Sequence, residues 1–243
     1  LLEQPNPVLM DRWLTIGALD SAEWTPLGGA RWRQRAGRIS VTAPGQGFGG
    51  RSLCLAVSQP PADGYEVAVW VRLDDEAGAA GIAFEADGGD RHYGFYPSNG
   101  RLRLTRFGGP DVLSWEVLEE QASPAYRPGG WNHLRVRRSE GEIVCFVNDQ
   151  PIFETTDVQL PAGRFGLVKF RDTEAEFRGF AVGPELPTVM PSAELLGRVE
   201  GLTEGVAAGA TLEFSSDMIA GLVEQGPEVV AAVEQRAWAL RRE

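Results

Sequence analysis

The chain has 243 residues, a formal net charge of −11 and a hydrophobic fraction of 43%. This length allows a sizeable core, in one large β domain or in two smaller units. The acidic excess argues against a general nucleic-acid-binding protein, and no apolar run approaches the roughly 18 residues of a membrane span.

The first half of the chain contains short segments in which apolar and polar residues alternate, which is the period of a half-buried strand. In residues 65–73, Val67, Val69 and Val71 share one face, while Trp70 and Arg72 share the other. The glycine-rich segment 44–50 is not a phosphate loop, because no Gly-Lys-Ser/Thr follows it. Strands are predicted here at residues 11–19, 38–43, 52–58, 65–73, 81–86, 91–96, 101–107 and 112–118.

The stretch 131–182 predicts a further set of short strands joined by tight turns, and their alternating residues require a second sheet to pack on. Asn99-Gly100 is a hairpin signal in front of this stretch, because a primed turn needs positive φ. Turn signals recur every ~8–12 residues, as in all-β sandwiches. The predicted strands of this stretch are residues 131–138, 142–147, 151–155, 163–171 and 174–182.

A change of composition marks a boundary after the strands. Residues 184–191 are proline-rich and predict a linker between a sandwich domain, residues 1–183 with its core at 20–183, and a helical segment, residues 192–243. Helices are expected at 193–203, with Ser192 as N-cap, at 217–225, and from Gly226-Pro227 onward. Since the chain begins without methionine and ends within a helical pattern, we expect a fragment of a longer protein and the start of a truncated helical domain.

The order of several packing and turn segments resembles a known family. These segments are residues 91–95, 100–104, 131–136, 143–149 with 151–153, and 163–167 with 175–180. They resemble the concanavalin A-like lectin and glucanase superfamily, including its laminin-G-like modules, and most closely the bacterial 3-keto-disaccharide hydrolase domain family. The resemblance implies an all-β, antiparallel jelly-roll sandwich followed by a short α-helical segment, and an extracytoplasmic location. The superfamily includes lectins, glycan-binding modules, glycosidases and adhesion domains, so the resemblance alone does not select a function.

The sequence holds no catalytic motif. A retaining glycosidase needs two carboxylates about 5–5.5 Å apart, and the nearest cluster, Glu174 with Glu176, is more simply explained as a solvated strand face. His92 and His133 are the only histidines, and neither has a nucleophile at a fixed spacing.

Polar and aromatic residues opposite the aliphatic positions of the strands suggest a binding surface. Aromatic rings stack on sugars, and arginine forks bind carboxylates or sulfates. Alternatively, these residues only keep the strands soluble, or the acidic helical segment covers them. The candidate ligand-binding residues are Trp70, Arg72, His92, Tyr96, Arg101, Arg103, Arg135 and Arg137.

No cofactor is predicted, although two acidic turns could hold calcium, which binds clustered oxygens. They are residues 74–76 and the pair Asp87 and Asp90, and ordinary turns explain them as well. Cys54 and Cys145 are the only cysteines, and the sequence leaves open whether they form a disulfide or remain buried thiols.

These observations favour a non-catalytic binding module within a larger bacterial protein, with a glycan or a protein surface as its partner. The bacterial origin is suggested by the composition: the chain is rich in Arg, Ala and Gly, and Lys169 is its single lysine. A sugar-active hydrolase with carboxylates on its loops is one alternative. A structural or interaction domain for the helical region is another.

Overall fold

A computed structural model of the chain describes residues 8–9, 17–35, 37–61, 64–202 and 227–240. The chain forms two compact units, Leu1–Leu186 and Pro187–Glu243. The first unit contains all the strands described below.

The first unit is built from fifteen described strands and two short 3₁₀ turns, Phe48–Gly50 and Val112–Ser114. The strands are β1 (Val8–Leu9), β2 (Trp24–Leu27), β3 (Arg31–Arg35), β4 (Arg38–Thr42), β5 (Ser52–Ala56), β6 (Tyr65–Leu73), β7 (Ala79–Ala86), β8 (His92–Ser98), β9 (Arg101–Phe107), β10 (Trp115–Gln121), β11 (Asn132–Ser139), β12 (Glu142–Val147), β13 (Gln150–Thr155), β14 (Arg164–Phe170) and β15 (Ala175–Gly183).

The strands form two antiparallel sheets. Sheet 1 has the order β13-β12-β11-β6-β15-β4-β3, and β1 pairs with the last part of β15. Sheet 2 has the order β10-β9-β8-β7-β14-β5-β2. Because consecutive strands such as β6 and β7 lie in different sheets, the chain crosses between the layers several times, as a jelly roll does.

The main core lies between the two sheets. Val67, Val69 and Val71 of sheet 1 belong to one buried cluster with Ile82 and Phe84 of sheet 2. Aromatic pairs also join the layers: the Trp24 and Phe180 rings are 5.1 Å apart, and those of Phe95 and Phe153 are 6.0 Å apart. The predicted all-β jelly-roll sandwich is therefore confirmed.

The outer face of sheet 2 is also apolar, which the alternation pattern did not predict. Tyr96, Phe107 and Phe170 form a second buried cluster there. The backbone of Gly94 makes room for it, because a Cβ at that position would lie 3.1 Å from the rings of both Tyr96 and Phe107. The central strands of sheet 2 consequently have buried side chains on both faces.

Most strand predictions hold to within a few residues, and β6, β9 and β12 have the predicted bounds. The Asn99-Gly100 hairpin is also confirmed, with φ of 53° and 70°. The strands β2 and β3 were not predicted. Most of the lead-in strand predicted at 11–19 lies outside the described residues.

The second unit contains two described helices, α1 (Ala193–Leu202) and α2 (Pro227–Leu240). The Ser192 hydroxyl accepts a hydrogen bond from the backbone N–H of Leu195 at 3.2 Å, as expected of an N-cap. The helix predicted at 217–225 lies outside the described residues. Neither described helix is long and apolar enough to cross a membrane.

The two cysteines are free thiols. Cys54 on β5 and Cys145 on β12 are both buried in the main core. Of the two possibilities left open by the sequence, the structure shows buried thiols, and burial raises the pKa of both.

Candidate functional site

The outer face of sheet 1 carries two neighbouring rows of polar and aromatic side chains. One row crosses four strands and consists of Arg38, Arg178, Trp70 and His133, each directly opposite the next. The next row consists of Ser40, Glu176 and Arg72. Since adjacent strands are about 4.8 Å apart, the longer row spans about 14 Å.

Trp131, immediately before β11, lies over the arginines of these rows. Its ring centroid is 4.5 Å from the guanidinium carbon of Arg178, 5.3 Å from that of Arg72 and 5.5 Å from that of Arg38. These are cation–π distances. We call the group formed by Arg38, Trp70, Arg72, Trp131, Glu176 and Arg178 the arginine–tryptophan surface.

Glu176 orients two of these arginines. Its carboxylate accepts a hydrogen bond from Arg72 at 2.5 Å and lies 3.8 Å from Arg38. The group therefore combines three guanidinium groups with the carboxylate of Glu176. Both tryptophan rings are partly exposed, so they offer apolar area beside charged hydrogen-bond donors.

The loop that carries Trp131 is held by specific hydrogen bonds. Glu76 accepts one from the Tyr126 hydroxyl at 2.8 Å and one from the Gly129 backbone N–H at 2.6 Å. The Asn132 side chain accepts from the backbone N–H of Arg127 and donates to its carbonyl, both at 2.8 Å. The position of Trp131 therefore depends on contacts made before the strand begins.

A cleft of about 530 Å³ lies beside Arg72, at one end of β6 and β15. Its polar lining residues are Ser40, Thr42, Arg72, Asp74, Glu174 and Glu176. We call it the strand-end cleft. Arg72 and Glu176 belong both to this cleft and to the arginine–tryptophan surface, so one ligand can contact both.

His133 lies beside this surface but is buried. Its ring is 5.1 Å from that of Trp70, and its Nδ1 atom has no hydrogen-bond partner among the described residues. Burial lowers the pKa of His133, so the imidazole is neutral at neutral pH. It packs beside Trp70 and does not supply a cation.

The candidate residues predicted from the sequence divide between the two sheets. Trp70 and Arg72 belong to the arginine–tryptophan surface. Arg135 and Arg137 lie further along sheet 1, where both bind Glu66 at 2.7 Å and Arg135 stacks on Phe146 at 4.0 Å. Because Glu66 is 1% exposed and also accepts the backbone N–H of Leu186, this group fixes the chain after β15.

The other four candidates lie on the outer face of sheet 2. His92 and Tyr96 are buried, with 0% and 5% of their surface exposed, because His92 stacks on Phe107 at 4.4 Å and Tyr96 packs on Phe170 at 4.7 Å. The prediction that His92 and Tyr96 contact a ligand at the surface is therefore wrong. Arg101 and Arg103 share the carboxylate of Glu120, at 3.0 and 2.9 Å.

The acidic turns considered for calcium make other bonds. Asp75 accepts the backbone N–H of Ala77 at 2.8 Å, while Asp87 accepts that of Gly89 and pairs with Arg91. Asp90 pairs with the buried Arg51 at 2.6 Å. Among the described residues, no group of three or more His, Cys, Asp or Glu side chains is arranged to hold a metal ion.

Trp131, Arg38 and Arg178 were not among the residues predicted to bind a ligand. Each falls on the outer side of its strand or just before it, so the signal was present. What the sequence lacked was the strand order, which brings β4, β15, β6 and β11 side by side.

Fold and surface together define a class: an antiparallel jelly-roll β-sandwich that carries an arginine- and tryptophan-rich outer face. A family model described as the 3-keto-alpha-glucoside-1,2-lyase-like domain matches residues 24–182, well over half of the chain. The chain belongs to this family. None of the curated proteins compared with the sequence matches it.

Solved structures show the same fold at low sequence identity. The carbohydrate-binding module CBM66 from Bacillus subtilis is similar with a TM-score of 0.56 and 16% identity, over 67% of this chain and 96% of that one. A Bacillus subtilis protein of unknown function with a galectin-like fold matches with a TM-score of 0.50 and 14% identity, over 66% and 89%. A functionally unknown protein from Saccharomyces cerevisiae matches with a TM-score of 0.50 and 15% identity, over 68% and 98%.

Proposed function

We propose that the sandwich is a carbohydrate-binding domain and that its ligand lies on the arginine–tryptophan surface and extends into the strand-end cleft. The observation that carries this proposal is the pair of partly exposed tryptophan rings, Trp70 and Trp131, set among three arginines beside a cleft of about 530 Å³. The fold similarity to a carbohydrate-binding module and the glucoside in the family's description support it.

The chemistry of the surface suits a sugar. A pyranose ring has apolar C–H faces that pack on an indole ring, and its hydroxyls match the paired donors and acceptors of an Arg72–Glu176 group. A guanidinium group such as that of Arg72 can also donate hydrogen bonds to a carbonyl or carboxylate oxygen of the ligand. Glucosides with and without a 3-keto group are therefore the probes of choice.

The test is a glycan array followed by calorimetric titration of the ligands found. We expect Trp131→Ala and Arg72→Ala to weaken binding at least about tenfold, the effect of losing roughly 1.4 kcal/mol. Arg103→Ala is the matched control, because Arg103 also pairs with a glutamate but lies on sheet 2. Equal affinities for all four proteins, or binding of a protein partner and of no glycan, would contradict the proposal.

A second candidate function is turnover of the bound sugar, because three carboxylates, Asp74, Glu174 and Glu176, line the strand-end cleft. In a 3-keto-glucoside the C2–H is acidified by the neighbouring ketone. A carboxylate that removes this proton allows the C1–O bond to break and leaves a C1=C2 double bond in the sugar. The leaving oxygen takes up a proton from a second, protonated carboxyl group of the cleft or from water and departs as an alcohol.

Release of the alcohol from a 3-keto-α-glucoside measures this reaction directly. We expect Glu174→Gln and Asp74→Asn to slow the release, while Asp87→Asn, an acid in a turn outside the cleft, leaves it unchanged. If the wild-type protein binds the compound but releases no alcohol, the domain only binds.

A further inference from the structure

A second cleft, of about 540 Å³, opens where strands of both sheets end. It is bordered by the start of β6, the end of β7 and the turn after β11, together with Pro60, Pro61 and Gly163 from two loops. We call it the Glu85 cleft. Its Tyr65 is seven residues from Arg72 along β6, so the two sites are separated by about 23 Å.

The polar groups of this cleft are buried and arranged around one carboxylate. Glu85 is 4% exposed, accepts the backbone N–H of Gly163 at 2.7 Å and lies 3.1 Å from Nε of Arg138. Burial raises the pKa of Glu85, and the charge of Arg138 partly offsets this effect. A carboxylate–guanidinium pair at the base of a cleft offers acceptors and donors side by side.

Tyr65 adds a buried hydroxyl that interacts with the Glu85 carboxylate but does not form a hydrogen bond of good geometry with it. The residue is 4% exposed and lines the cleft, and its ring packs on Phe165 at 6.0 Å. Burial, reinforced by the charge of Glu85, raises the pKa of Tyr65, so its hydroxyl remains a neutral donor. Buried polar groups normally have partners, which a ligand or water can provide.

The backbone at Glu85 has a conformation that a side chain rarely adopts. Its φ is 49°, and the pairing of β7 with β14 shifts register at this point. The bulge directs Glu85 into the cleft from a strand whose other residues pack in the sheets. Strained residues of this kind occur preferentially at binding sites.

We infer that the Glu85 cleft is a second binding site, for a neutral polyhydroxylated compound such as a single sugar unit. The paired charges of Glu85 and Arg138 cancel, and Glu140 at the rim disfavours anions. Neighbouring hydroxyls of a sugar can bind the carboxylate, the guanidinium and the Tyr65 hydroxyl together, while Pro60, Pro61 and the tyrosine ring contact its apolar face. This site is independent of the arginine–tryptophan surface.

The test is an NMR titration of the ¹⁵N-labelled protein with glucose and, separately, glucuronate in the millimolar range. We expect glucose to shift the amide signals of Gly64, Ser139 and Gly163, and glucuronate to bind more weakly. Tyr65→Phe should weaken glucose binding about tenfold, the loss of one hydrogen bond to a buried group. The melting temperature of Tyr65→Phe should fall little, because the contact of the hydroxyl with Glu85 lacks good hydrogen-bond geometry.

Trp131→Ala separates this proposal from the previous one, since it should leave the glucose shifts at these amides unchanged. No shift at these amides, or the same affinity in wild type, Tyr65→Phe and Glu85→Gln, would overturn the second site. So would a lower melting temperature of Tyr65→Phe with unchanged binding, because the hydroxyl would then be structural.

Discussion

Replacing Trp131 with alanine separates the binding contribution of the arginine–tryptophan surface from its contribution to stability. The ring contacts three guanidinium groups at 4.5–5.5 Å, and an exposed cation–π contact contributes about 0.5–1 kcal/mol. Because one ring is shared and partly exposed, we expect a total stability loss of about 1–2 kcal/mol, which lowers the melting temperature by about 2–8 °C in a domain of this size.

Binding should suffer more than stability. A central tryptophan of a binding surface typically contributes 2 kcal/mol or more, so the affinity for a glucoside should fall about 30-fold or further. Calorimetric titration measures the affinity, and a thermal melt measures the stability of the same sample. Trp115→Ala is the matched control, since Trp115 on sheet 2 is also partly buried and lies 5.6 Å from an arginine, Arg51. A Trp131→Ala protein that binds as tightly as Trp115→Ala would refute the reasoning.

Three further predictions concern residues around the site and in the core. Glu76→Ala removes two hydrogen bonds from the loop that carries Trp131. We expect this variant to bind a glucoside severalfold more weakly and to lose about 1–3 kcal/mol of stability. An unchanged affinity in a titration would show that the position of the loop does not depend on Glu76. Burial lowers the pKa of His92 to about 3 and also lowers that of His133. Histidines of the unfolded chain have a pKa near 6.5, so below that pH the unfolded chain binds more protons than the folded protein does. The free energy of unfolding should therefore fall as the pH drops below about 6.5. In thermal melts of His92→Gln this fall should be smaller. Cys54 and Cys145 should not react with a thiol reagent in the folded protein and should both react after denaturation; rapid labelling of either in native buffer would contradict their burial.

The fold could be predicted because alternation and turn chemistry are local. Residues 65–73 show period-2 alternation, and Asn99-Gly100 has the composition of a primed hairpin turn. The strands β2 and β3 were not predicted because their sequences show no clear apolar alternation: β2 contains Trp24 and Pro26, and β3 has arginine at positions 31, 33 and 35. Their extended conformation is determined by pairing, of β2 with β5 and of β3 with β4.

The site could be predicted only in part, since alternation gives the side of a strand but not the neighbour of that side. Trp70 was assigned to an outer face correctly, whereas its partner Arg178 is 108 positions away in sequence and meets it only through the pairing of β6 with β15. His92 and Tyr96 show the opposite error. Their outward position was right, yet aromatic neighbours from β9 and β14 cover them, so an outer face was mistaken for a solvated one.

The seven tryptophans of the chain provide the most direct test of carbohydrate binding at the arginine–tryptophan surface. In an NMR titration of the ¹⁵N-labelled protein with a 3-keto-α-glucoside and with the parent glucoside, the indole N–H signals report each ring separately. We predict that the signals of Trp70 and Trp131 shift at the same ligand concentrations and that both shifts reach saturation. The signals of Trp24, Trp32 and Trp115 should not shift. Saturable shifts at Trp115 without any at Trp70 and Trp131, or no indole shift at a concentration where calorimetry shows binding, would contradict the location of the ligand on sheet 1.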